Sequence, residues 1–115
     1  MTSASLRAFL VLTVIAAALY GASEAHVIVM HTNNIRGHVL SGPDGAGSAA
    51  LASVVRQTKP DLMLDAGEMF SGTLISDLFL AAPVIQVMNS IGYDAAAVGS
   101  NEFSYGIHVL EARVQ

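Results

Sequence analysis

Short apolar runs alternate with amphipathic stretches along most of this chain, and the alternation predicts a β-loop-α-β-α-β-α order. Val27-Ile28-Val29-Met30 is apolar and rich in β-branched residues, so it reads as a buried strand ending at His31. Residues 37–47 carry four glycines, a proline and an aspartate, which is loop composition. Leu51, Val54 and Val55 recur at helical spacing and predict a helix from Ser48 to Thr58, stopped by Lys59-Pro60. Leu62-Met63-Leu64 predicts a second strand, and Thr73 to Leu80 a short helix. Pro83 suits the first turn of another helix, whose apolar face is Val84, Val87, Met88 and Ile91 and whose stop is Gly92. Ala95 to Val98 is read as a third strand from its position, since alanine is depleted in strands. His108 to Arg113 starts a last helix. Near-continuous apolar strands joined by helices predict an α/β fold with a mainly parallel sheet. The loops that follow the strands gather at one edge of such a sheet, where ligands bind.

The first 25 residues follow a different pattern. Arg7 precedes the apolar run Ala8 to Tyr20, and small residues follow, with Ser23 and Ala25 at cleavage-site spacing. Residues 1–25 are therefore expected to be a signal peptide, which places the chain in a secreted or periplasmic setting; an uncleaved membrane anchor is the weaker alternative. Without that segment the chain keeps four Lys/Arg and eight Asp/Glu, so it is acidic and carries no basic patch for nucleic acid. It has no cysteine, so no disulfide supports the fold.

Three polar segments sit at predicted strand ends: His31-Thr32-Asn33-Asn34-Ile35-Arg36-Gly37, Asp65-Ala66-Gly67-Glu68 and Gly99-Ser100-Asn101-Glu102-Phe103-Ser104-Tyr105-Gly106. In order and spacing they resemble the three N-terminal motifs of the 5'-nucleotidase family of metallophosphoesterases, which read His-Thr-Asn-Asp-x-His-Gly, Asp-Ala-Gly-Asp and Gly-Asn-His-Glu-Phe-Asp-Tyr-Gly. The likeness extends through Gly72-Thr73-Leu74, Ser76, Leu78-Phe79, Pro83-Val84-Ile85, Met88-Asn89 and Gly92-Tyr93-Asp94-Ala95. It implies that residues 26–115 are the N-terminal portion of an α/β/β/α sandwich that holds two divalent metal ions and hydrolyses nucleotide phosphate monoesters.

At six positions this chain departs from the family pattern. The resemblance assigns metal binding to Asn34, Arg36, Glu68 and Ser100, and catalysis to Asn101 and Ser104, where the family has Asp, His, Asp, Asn, His and Asp. Arginine cannot ligate a metal, and a guanidinium beside a dication is repelled. Asn101 is no general acid near neutral pH, and Ser104 cannot orient one. No bound metal and no hydrolysis are therefore expected here. Three alternatives stand beside that reading: residual activity with a separately encoded remainder of the domain, a metal-free phosphate or nucleotide binder using Arg36, and a relic. Arg36 and Glu68 are expected to face one another as an ion pair. Asp65 is expected to support its strand end, Glu102 to brace its loop, and His31 to be a structural histidine. Residues 42–47 lack the Lys-Ser/Thr of a phosphate loop and read as a turn.

Overall fold

The computed structural model describes residues 5, 10–14, 24–43 and 45–114. Most of the expected signal peptide lies outside the described residues. No helix among the described residues is long and apolar enough to cross a membrane.

Three strands form one parallel sheet in the order β1-β2-β3: β1 is Val29–Thr32, β2 Leu62–Asp65 and β3 Ala95–Ala96. Helix α1 (Gly47–Thr58) joins β1 to β2, while α2 (Leu74–Leu78) and α3 (Ala82–Ile91) join β2 to β3. A single 3-10 turn, Asn101–Phe103, and α4 (Ile107–Arg113) follow. The α/β architecture is as the sequence predicts. Its boundaries differ by two residues in three places and by one residue at several others. β1 starts two residues later than Val27, and α2 stops at Leu78 because Leu80 and Ala81 both take left-handed backbone. β3 keeps two residues of the expected four, in keeping with the poor strand preference of alanine. The α3 expectation holds closely: proline lies in the first turn, and Gly92, left-handed at φ 94°, returns its N–H to Met88 O.

Crossovers between neighbouring parallel strands are right-handed as a rule, which puts both connecting helices on one face. α1 and α3 touch each other accordingly. Met63 and Asp65 point to the covered face and are buried, whereas Val29 (50% exposed) and Leu62 (41%) point away. On that other face Leu64 is half-buried and His31 is exposed. The main apolar cluster lies elsewhere, beneath the strand-end loops: Met69 and Phe70 after β2 pack with Val39, Ala81, Val84, Met88 and Leu110.

Candidate functional site

The site is built mostly from main chain. Loop one, after β1, runs alongside loop two, after β2, and the two are joined by a ladder of backbone bonds: Asn34 N to Gly67 O at 2.9 Å, Arg36 N to Glu68 O at 3.0 Å and Gly37 N to Met69 O at 2.8 Å. To run this way, Asn34, Arg36 and Glu68 all adopt left-handed backbone, with φ of 60°, 48° and 64°. For arginine and glutamate that conformation costs about 1–2 kcal/mol each, which the ladder offsets.

Asp65 anchors the start of loop two. One carboxylate oxygen accepts from Gly67 N at 2.8 Å and the other from Thr32 Oγ1 at 2.5 Å, and Thr32 also meets the Tyr93 hydroxyl at 2.7 Å. Asp65 thus supports its strand end. Burial, opposed by the Thr32 bond and reinforced by the Asp65 charge, pushes the Tyr93 phenol above its ordinary value.

Loop three, after β3, is tied to loop two by two carboxylates. Glu102 is fully buried, and its oxygens accept from four backbone amides: Gly99 N at 2.6 Å, Met69 N at 2.6 Å, Glu68 N at 3.2 Å and Phe70 N at 3.2 Å. The expected loop brace is this residue. Glu68 reaches the other way: its Oε1 accepts from Ser100 N at 2.5 Å, Ser100 Oγ at 3.0 Å and Asn101 N at 3.4 Å. Burial raises the Glu68 carboxyl, but the Ser100 and Asn101 bonds and the Arg36 charge outweigh it and hold the group below its ordinary value. Between the two carboxylates sits Gly99, where a Cβ would collide with Glu68 Oε1.

The expected ion pair between Arg36 and Glu68 is absent: the ion pairs found among the described residues are His26–Glu24 and His108–Glu111. Glu68 has turned to main-chain amides, which are fixed in place and already converge on it, while the Arg36 side chain is exposed. Ser104 Oγ lies 3.2 Å from Ser71 Oγ, a pairing that spacing along the sequence does not announce. The Nδ2 of Asn101 is buried with no hydrogen-bond partner among the described residues. All six family positions therefore gather at the C-terminal edge of the sheet, with Glu68, Ser100 and Asn101 in direct contact.

The donor set does not fit two dications. Metal ions need anionic or lone-pair acceptors turned toward them. Here Glu68 Oε1 accepts from N–H and O–H groups, Arg36 adds a cation, and Asn101 presents an unpaired N–H donor. Among the described residues no three of His, Cys, Asp and Glu are grouped to hold an ion.

No protein-family model matches the chain. A snake venom 5'-nucleotidase from Gloydius brevicauda is 32% identical over 106 residues, covering 80% of this chain and 18% of that protein. The 5'-nucleotidase precursor from Thermus thermophilus is similar in structure, with a TM-score of 0.63 and 29% identity over 76% of this chain and 20% of its own. The calcineurin-like phosphoesterase YfkN from Bacillus subtilis shares the fold at a TM-score of 0.71 and 22% identity, over 80% of this chain and 34% of that one. The chain thus spans about a fifth, or less, of the length of the curated relatives it matches. Motifs, sheet order and these likenesses agree: over the stretch it shares with them, the chain belongs to the 5'-nucleotidase family of calcineurin-like phosphoesterases.

Proposed function

We propose that this chain is an exported, catalytically silent member of the phosphoesterase family, with residues 1–25 as its signal peptide and 26–115 as the N-terminal portion of the family's domain. The observation that carries the silence is the bonding of Glu68. Its Oε1 accepts from Ser100 and Asn101, so the one carboxylate among the six family positions is engaged with the amides of loop three. Asn101 and Ser104 supply neither a general acid nor a partner for one. The purified chain, assayed with AMP and a chromogenic phosphate monoester in magnesium, manganese, cobalt or zinc, is expected to give no turnover above a buffer blank. Metal-dependent hydrolysis that disappears in Glu68→Ala would end this reading.

A second reading, a phosphate or nucleotide binder, is favoured by Arg36. Its guanidinium is exposed and makes no hydrogen bond or ion pair among the described residues, so its fork of donors is open to a phosphate. Glu68 nearby opposes an anion, which limits this reading to weak binding.

A further inference from the structure

We infer that Glu68 and Glu102 form a carboxylate clamp on main-chain amides that holds loops two and three together with no metal ion. The inference rests on the proposed absence of metal chemistry and extends it: the family's ligand positions have become hydrogen-bonding positions. The two carboxylates bind in opposite directions. Glu102 on loop three takes the amides of Glu68, Met69 and Phe70 on loop two, as well as Gly99 on its own loop. Glu68 on loop two takes the amides of Ser100 and Asn101 on loop three. Six backbone N–H groups over two loops are thereby satisfied by two side chains. Convergent amides around a carboxylate are a strong arrangement, because each bond is charge-assisted and the donors are held in position by the chain.

The length of the Glu68 side chain is the key to the clamp. The backbone at this position is fixed at φ 64°, by its own N–H on Glu102 and its carbonyl on Arg36 N. From there the carboxylate passes directly beside Gly99 to reach Ser100 N at 2.5 Å. An aspartate, the residue of the family motif, is one methylene shorter and falls short of those amides by more than about 1 Å. Restoring the family residue is therefore expected to weaken the loops.

The test compares the full chain with Glu68→Asp and Glu68→Gln, by thermal melting and by amide hydrogen exchange, each with EDTA and with added magnesium, manganese or zinc. The unaltered chain is expected to melt at the same temperature in every condition and to protect the Ser100 and Asn101 amides. Glu68→Asp is expected to lower the midpoint by about 5 °C or more and to speed exchange at both amides at least about tenfold, with no rescue by metal. Glu68→Gln keeps the reach and one acceptor oxygen, so its losses are expected to be smaller. A dication that raises the midpoint of the unaltered chain, unprotected Ser100 and Asn101 amides in that chain, or a Glu68→Asp variant that melts and exchanges like it would each overturn the clamp. If Glu68→Asp does not fold, the unaltered chain and Glu68→Gln decide by the same readouts. Phosphatase activity plays no part in the test. An active chain with a metal-independent clamp would sink the proposed silence and leave the clamp standing.

Discussion

The strand-end loops and the sheet that carries them are built to different standards. In the loops, Gly67, Met69, Phe70 and Glu102 are buried, and amides of all three segments find partners within the cluster. In the sheet, β3 has two exposed alanines, and the face away from the helices presents Val29 and Leu62 to solvent. A lone sheet normally buries its apolar face against another layer. Here the tighter packing has moved to the C-terminal edge, where the family's chemistry would sit. The difference teaches that this edge is held by main-chain bonds and the carboxylates of Asp65, Glu68 and Glu102, with little help from the packing of the sheet. The six substituted side chains take little part in it, Glu68 excepted.

Breaking the loop cluster should have the largest effect. Glu102→Gln replaces two acceptor oxygens with one and points an NH2 at main-chain donors, leaving buried amides unsatisfied. The expected loss is about 3 kcal/mol or more of folding stability, read by denaturant melts. A variant as stable as the parent would show that the loops are held by something else. Gly37→Ala comes next. At φ 73° an added Cβ meets Ser76 Cβ at 2.6 Å and Thr73 Oγ1 at 2.7 Å, so strain and overlap together are expected to cost about 2 kcal/mol.

The sheet should respond in the opposite way. Val29→Lys places a charge on the face away from the helices and is expected to change stability by under about 1 kcal/mol, while lowering self-association and the binding of a hydrophobic dye. A loss comparable with that of Glu102→Gln would mean that this face is packed after all. The smallest effect concerns pH. Tyr93 has a raised pKa, so its contribution is fully present below its ordinary value of 10.0 and fades as pH rises through the folded value. Tyr93→Phe is therefore expected to lose stability less steeply than the parent as pH rises above about 10.

Most of this fold was readable in the apolar pattern. The α3 boundaries follow from Pro83 and Gly92, and the parallel order from three short apolar runs separated by helices. The brace at Glu102 and the support at Asp65 were also expected, since both sit inside a motif whose neighbours are intact. Three things were not readable. The left-handed turns at Leu80 and Ala81 depend on packing, and neither residue carries a turn signature. The exact length of β3 was not set by its alanines, which argue for a weak strand without saying where it stops. The bonding of Glu68 to Ser100 and Asn101 in place of Arg36 depends on amides whose direction is set by the loop's path, and side-chain identity carries no trace of that path.

The left-handed backbone at Asn34, Arg36 and Glu68 also bears on which sequences these loops can accept. Once the chemistry at such positions relaxes, shape becomes the filter on what can replace them. Asparagine enters this conformation readily, unbranched side chains such as those of arginine and glutamate at modest cost, and valine, isoleucine or threonine only with severe strain. A library randomised at these three positions and sorted for folded protein should return asparagine, aspartate, glycine and long unbranched residues at Asn34 and Arg36, glutamate or glutamine at Glu68, and almost no β-branched residue at any of them. A selection for shape of this kind would keep the loops recognisable in sequence long after any selection for their chemistry had ended.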